Sequence, residues 1–262
     1  MNDAPSLVAA SPGERPQAVR DRFRSPFLVM ALDWRLAGRR RRLLVLNVAI
    51  PLLLTGALAL GAAPPHHAAA VTAVLFALFG TFGAVIPLLR DGQAGLIARL
   101  RQTALAPHSI LLQKTLAGAV LDTAQLVPAL AVLALAGAPG RFPATAAVLA
   151  ASLLLANTIG AWLAAIARSV AEGALFAAVA TLLLLHGSGV FRTPAPASLA
   201  AGIEKVAPFR ALHEFLLGLA GAPSSPGAGA ILALLVAVLS TLAITGAAAA
   251  ALLDALSRPE RD

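Results

Sequence analysis

Residues 144–167 read ATAAVLAASLLLANTIGAWLAAIA, a stretch that contains no charged side chain. A helix needs about 20 such residues to cross ~30 Å of hydrocarbon, because each residue advances it by about 1.5 Å. The run from Ala147 to Ala156 does not alternate between polar and apolar residues, as a membrane β-strand would. We therefore predict that this stretch crosses a bilayer as an α-helix, whose backbone groups bond to one another.

Five further blocks of similar length and composition occur along the chain. They cover residues 43–63, 69–89, 115–137, 173–191 and 228–253. Hydrophobic residues make up 59% of the chain and charged residues only 12%, and the mean hydropathy is +0.84. A water-soluble domain would not expose so many apolar runs. The sequence therefore predicts an all-α integral membrane protein with six transmembrane helices.

The basic residues lie between these blocks, mostly on one side of the membrane. Most of the 20 Lys and Arg residues precede the first block, as in the run Arg39–Arg42, or lie between blocks two and three. Arg168 lies between blocks four and five, and Arg258 follows block six. Because cytoplasmic loops are rich in Lys and Arg, we predict both termini in the cytoplasm of a bacterial-type plasma (inner) membrane. The net charge of +8 comes from these flanking residues, so no nucleic-acid partner is predicted.

The first residues differ in composition from the rest. Residues 1–25 are polar, rich in Pro and Arg, and lack the apolar core of a cleaved secretory signal. We predict that they form a disordered cytoplasmic tail. Residues 26–262 are predicted to form one six-span transmembrane domain.

An amphipathic pattern leads into the first block. Phe27, Met30 and Trp34 recur at helical spacing, and Arg39 and Arg40 begin the arginine run that follows. A helix with one apolar face and arginines at its end is typical of a segment that lies in the membrane interface. We predict an N-terminal amphipathic interfacial helix, which we call the elbow helix, with its arginines reaching lipid headgroups.

The loop between blocks two and three is patterned rather than random. Residues 90–114 read RDGQAGLIARLRQTALAPHSILLQK, which is too polar to span the membrane. Leu96, Ile97 and Leu100 fall on one helical face, and Pro107 interrupts the pattern. We predict a short cytoplasmic helix within residues 92–105, suited to receive force from a soluble partner.

The segment between blocks five and six has an apolar pattern of its own. Pro-containing turns are followed by the amphipathic stretch 209–219, which contains Phe209, Leu212, Phe215 and Leu216. These side chains would be exposed to water in a free loop. We predict a short external helical segment that dips into the outer leaflet.

Polar residues inside the blocks are candidates for a substrate path. Asp122 and Gln125 lie three residues apart, so they share one helical face. An acid within a span costs about 3 kcal/mol on insertion scales, and it normally faces a bundle interior or a wet path. Asp122 either lines a path or makes an interhelical hydrogen bond. Asn47, Asn157 and His186 are further candidates.

Two motifs resemble a known family in their order and topology. The first is R-D-x-x-x-G-x-x-x-R-L-R-x-T-x-L-x-P in the cytoplasmic loop, and the second is S-G-V-F at 188–191 followed by P-F-R-A-L at 208–212. With the amphipathic lead-in and the six spans, they resemble the permease subunit of type-2 ATP-binding-cassette (ABC) exporters. The family often has a Glu-rich turn before the cytoplasmic helix, where this chain has Asp91 and fewer acids.

The resemblance implies a half-transporter. A separate ABC ATPase subunit would hold ATP and Mg, this chain would hold no cofactor or metal, and the chain would pair with itself or with a similar permease. The ATPase would contact the cytoplasmic helix. The residues that this assigns to coupling are Asp91, Gly95, Leu96, Arg99, Leu100, Arg101 and Thr103. The implied cargo is a hydrophobic or amphipathic drug, antibiotic, lipid or peptide.

Rival functions have less support in the sequence. No G-x-x-x-x-G-K-[ST] loop occurs, so an ATP-driven transporter would take its ATPase from a separate chain. The absence of cysteine excludes thiolate catalysis, and Ser188 has no histidine on the last span to act as its base, so an enzyme is not predicted. A haem-exporter-like permease of cytochrome c maturation, a secondary proton-coupled carrier and a non-transporting scaffold remain as alternatives.

Overall fold

The computed structural model describes residues 27–192, 195, 197–223 and 227–258, and in this part of the chain every regular element is helical. The predicted tail, residues 1–25, lies outside the described residues. Six helices are long and apolar enough to cross a membrane, which confirms the predicted all-α, six-span fold. They are α2 (Arg41–Leu60), α3 (Pro65–Gln93), α5 (Pro107–Ala136), α6 (Phe142–Ile166), α7 (Val170–Gly187) and α10 (Ala228–Leu256).

Four shorter helices complete the described fold, together with a 3₁₀ turn at Pro139–Arg141 that begins the fourth span. They are α1 (Leu28–Arg39), α4 (Leu96–Arg101), α8 (Leu199–Val206) and α9 (Arg210–Leu219). The first corresponds to the predicted elbow helix, although its position at the membrane surface stays a prediction.

The helix ends follow from local sequence. Pro65 and Pro107 each occupy the first helical position. Proline lacks a backbone N–H, which costs nothing there because an N–H at this position would have no carbonyl of the same helix to bond. The Ser169 hydroxyl caps α7 by accepting a hydrogen bond from the backbone N–H of Glu172 at 3.1 Å. Pro65 and Ser169 thus follow the short turns that lead into spans two and five, whereas Pro107 begins span three after α4.

The core lies where α3, α5 and α6 meet, and small residues allow the backbones to approach closely. A β-carbon on Gly80 would lie 2.8 Å from Ala156 Cβ, and one on Gly160 would lie 2.7 Å from Ala84 Cβ. In lipid, helices associate mainly through such close packing and interhelical hydrogen bonds, because the tails are as apolar as leucine. The glycines therefore set the α3–α6 spacing.

The segment between spans five and six folds back onto the bundle. Phe209, Leu212 and Leu216 are fully buried, and α9 packs against α3 and α6. The backbone N–H of Ala138 donates to Leu219 O at 2.9 Å, which ties α9 to the turn between spans three and four. This segment is helical as predicted, and it closes the end of the bundle opposite α4.

Candidate coupling surface and inner cavity

The elbow helix α1 is fixed to the third span by two hydrogen bonds. The backbone N–H of Val29 donates to Gln113 Oε1 at 3.0 Å, and Trp34 Nε1 donates to Ala117 O at 3.3 Å. Val29 is fully buried. The helix is therefore packed against α5 rather than attached to the bundle only through its connection to α2.

A buried ionic triad joins three elements at the same end of the molecule. Lys114 Nζ on α5 lies 2.9 Å from Asp33 Oδ1 on α1 and 2.6 Å from Asp91 Oδ2 on α3. Only 5% of the lysine side chain is exposed. Burial raises the pKa of Asp33 above its ordinary value, although the Lys114 ammonium opposes this rise. The triad links the elbow helix to both ends of the cytoplasmic loop.

The cytoplasmic helix α4 has one anchored face and one exposed face. Ile97 and Leu100 are buried against the bundle, whereas Arg99 is exposed. Arg101 forms an ion pair with Asp254 near the end of α10. The apolar face of α4 is thus held against the bundle, while Arg99 on its other face is accessible.

This helix is shorter than the predicted stretch of residues 92–105, because the backbone turns at both of its ends. Gly95 adopts a left-handed conformation with φ of 69°, which separates α4 from the end of α3. After α4, the Thr103 hydroxyl donates to Leu100 O at 2.6 Å and closes the last turn. Asp91, predicted as a coupling residue, lies on α3 and in the ionic triad.

A second polar cluster lies deeper, among α3, α5 and α6. Asn157 Nδ2 donates to Asp122 Oδ2 at 2.9 Å and to Leu153 O at 3.0 Å. A β-carbon on Gly83 would collide with the Asp122 carboxylate, and one on Gly118 with Asn157 Oδ1. These glycines make room for the pair, and Asp122 makes the interhelical hydrogen bond that was one of its two predicted roles.

A cavity of about 200 Å³, here called the inner cavity, extends from the ionic triad to this polar cluster. Asn47, Gln125 and Asn157 line it together, and Asp122 borders it through its bond to Asn157. His186 does not join them: it is exposed in the last turn of α7, and its ring centroid lies 6.5 Å from that of Phe191. A role for these residues in a substrate path stays a prediction.

The prediction of site residues included Asp91 but missed its partners in the ionic triad, Asp33 and Lys114. Lys114 lies near the start of a spanning helix, α5, and Asp33 interrupts the apolar face of the elbow helix. A lysine in a spanning helix and an acid on an apolar face each indicate an ion pair, but the sequence does not show which acid pairs with which base. In the part of the chain that the structure describes, no group of three or more His, Asp or Glu side chains is arranged to hold a metal ion.

The sequence profile of the ABC-2 type transporter family matches residues 27–220. The chain belongs to this family. The match begins at the elbow helix, includes α4 and both polar clusters, and ends after α9. ABC-2 membership makes the chain a multi-pass membrane subunit of an ABC transporter, and it implies a partner ATPase subunit. No curated protein shows significant similarity to the chain.

Proposed function

We propose that the chain is the permease subunit of an ATP-driven exporter. It moves a hydrophobic or amphipathic substrate, such as a drug, an antibiotic, a lipid or a peptide, out of the cytoplasm or the inner leaflet. A separate ATPase subunit binds ATP and Mg²⁺ and supplies the energy. The observation that carries this proposal is α4, a short helix between two spans that is anchored on one face and exposes Arg99 on the other.

The contacts of α4 suggest how force would reach the spans. Movement of α4 pulls on the end of α3 through a connection of only two residues, Ala94 and Gly95. Asp91, in the last turn of α3, bonds to Lys114 on α5, and Lys114 also holds the elbow helix. A push at α4 is therefore shared by spans two and three and by α1, because these elements are joined by buried ionic bonds.

The faces of the outer helices support pairing with a second permease. In the most apolar stretch of each helix, only 11% of α2 is buried inside the chain, and only 22% of α7 and of α10. Apolar side chains such as Leu53 and Leu239 are exposed there. Lipid or a second copy covers these faces, and we infer a homodimer, or a pair with a similar permease, in a bacterial inner membrane. Both termini then lie on the cytoplasmic side with α4.

The coupling role of α4 is tested with purified subunits. The chain is co-purified with candidate ABC ATPases, and ATP hydrolysis by the complex is measured for wild type and for Arg99→Glu. Reversing this charge places a repulsive group in the proposed contact, and we expect complex formation to weaken about tenfold.

Arg192→Glu is the matched control, because Arg192 is also exposed but follows α7 at the opposite end of the bundle. It should leave the complex unchanged. If monodisperse Arg99→Glu binds the ATPase as tightly as the wild type does, and the complex hydrolyses ATP at the wild-type rate, α4 is not the docking element.

A further inference from the structure

The inner cavity is long and narrow rather than round. On α5 its lining runs from Lys114 to Gln125, and eleven residues of helix correspond to a rise of about 16 Å. An apolar cavity of about 150 Å³ is enough to hold a benzene ring in other proteins. A volume of about 200 Å³ spread over this length therefore matches a single hydrocarbon chain better than a compact molecule.

The end of the cavity next to the elbow helix is positively charged. Arg40 and Arg90 line it and are exposed, and among the described residues neither forms an ion pair. Lys114 bonds to both Asp33 and Asp91, and with the two arginines the three basic and two acidic side chains leave this end with a net positive charge. The two arginines therefore remain available to an anionic group at the level of the lipid headgroups.

The middle of the cavity is apolar. Leu44 from α2, Leu88 from α3 and Leu121 from α5 line it. Such walls stabilise a hydrocarbon chain, whereas moving an anionic headgroup in among them would cost free energy.

The inner end holds two buried hydrogen-bond acceptors that have no donor within the described part of the chain. Gln125 Oε1 and Asn157 Oδ1 are buried and accept no hydrogen bond from any described residue. The Asn157 amide is held in one orientation, because its nitrogen donates to both Asp122 and Leu153. Leaving a buried acceptor without a donor costs about 1–3 kcal/mol, so a hydroxyl or N–H group placed here would be stabilised.

We propose that the inner cavity binds a single-chain anionic amphiphile that carries a hydrogen-bond donor at the far end of its chain. The headgroup lies against Arg40 and Arg90, the hydrocarbon passes between the leucines, and the donor reaches Gln125. The site belongs to one copy of the chain, so binding does not require an ATPase or a second permease. A failure to bind the amphiphile is therefore distinguishable from a failure of the proposed coupling to an ATPase.

Trp34 makes the binding measurable, because it lines the cavity and the chain contains only two tryptophans. In a Trp162→Phe background it is the single fluorescent reporter. Mid-chain-brominated dodecanoate, its ω-hydroxy derivative and brominated dodecylamine are titrated into the purified permease reconstituted in vesicles of a zwitterionic phospholipid. We expect saturable quenching, with dodecanoate binding about tenfold more tightly than the amine and the hydroxy acid about tenfold more tightly again.

Variants separate the contributions of the two ends. The double variant Arg40→Gln and Arg90→Gln should remove the preference for carboxylate over amine. Gln125→Met should remove only the preference for the hydroxyl group. Thr123→Val is the matched control for Gln125→Met, because the Thr123 hydroxyl bonds within its own helix to Ala119 O and should not affect binding.

Occupancy of the cavity itself is checked with Leu121→Phe, which fills the middle of the lining and should abolish saturable quenching by every probe. Three results would overturn the proposal. They are quenching that never saturates, as expected for partition into lipid alone, equal affinity for the carboxylate and the amine, and unchanged binding in Leu121→Phe.

Discussion

At the scale of single residues, Lys114 has the contacts with the largest consequences. Its ammonium is almost fully buried and touches carboxylates from two other helices. The desolvation of a buried charge is offset only while its partners remain, so removing one member leaves the others uncompensated. The same side chain thus holds together the elbow helix, the end of span two and the beginning of span three.

We predict that Lys114→Met destabilises the protein by about 3–5 kcal/mol, because Asp33 and Asp91 lose their shared cation in a poorly hydrated site. The measurement is unfolding of the purified permease in detergent, followed by circular dichroism. Proteolysis of the elbow helix should also become faster, since α1 loses one of its attachments to α5.

The triple variant Lys114→Met, Asp33→Asn and Asp91→Asn is the control for this prediction. It removes all three charges together and should recover much of the lost stability. If Lys114→Met alone unfolds like the wild type, the lysine does not hold the three helices together.

Some of the residue-scale geometry is predictable from the sequence. The spacing of Asp122 and Gln125 correctly predicts one shared face, because helical periodicity is a local property. The bond between Asp122 and Asn157 was not predictable, since it depends on how α5 and α6 pack. Gly83 and Gly118 create the space for it, and a glycine in a sequence does not reveal which side chain it accommodates.

At the scale of helices, α4 is stabilised mainly by its apolar face. Leu100 is buried, whereas the ion pair between Arg101 and Asp254 is substantially exposed, with 38% and 51% of the two side chains accessible. Exposed ion pairs contribute about 0–1 kcal/mol. The leucine should therefore fix the position of α4 more strongly than the arginine.

We predict that Leu100→Ala costs about 2–4 kcal/mol and that Arg101→Gln costs less than about 1 kcal/mol. Hydrogen exchange across residues 96–101 measures the local effect, and exchange should accelerate strongly only in the leucine variant. A larger acceleration in Arg101→Gln would mean that the tie to α10, rather than apolar packing, positions this helix.

The helix α9 should respond to pH through His213. Burial lowers the pKa of His213 from 6.5 to about 4, and the nearby His66 acts in the same direction while Glu214 opposes it. Between about pH 4 and pH 6.5, the unfolded chain binds a proton at His213 that the folded chain does not bind. Stability is therefore present above pH 6.5 and is lost as the pH falls toward 4.

Melting temperatures of wild type and His213→Leu across this pH window test the prediction. The wild type should lose stability toward acid more steeply than the variant. His67→Leu, at an exposed position near the start of α3, is the matched control and should retain the wild-type slope. Parallel slopes for wild type and His213→Leu would show that this histidine is not kept neutral by folding.

At the scale of the whole molecule, the sequence predicts the spans well and their ends less well. Hydropathy located all six apolar blocks, because crossing lipid demands a long apolar run. Span two nevertheless continues to Gln93, several residues past the apolar block. Polar residues such as Arg90 and Asp91 extend a helix beyond the hydrocarbon as easily as they form a loop, so composition alone does not mark the end.

The account depends most on α4 lying on the cytoplasmic side, and labelling of introduced cysteines tests this directly. The chain contains no native cysteine, so Arg99→Cys and Leu199→Cys each provide one exposed thiol, at opposite ends of the bundle. A membrane-impermeant maleimide should label Leu199→Cys in intact cells and Arg99→Cys only after permeabilisation. Labelling of Arg99→Cys in intact cells would contradict the orientation and, with it, the proposed coupling to a cytoplasmic ATPase.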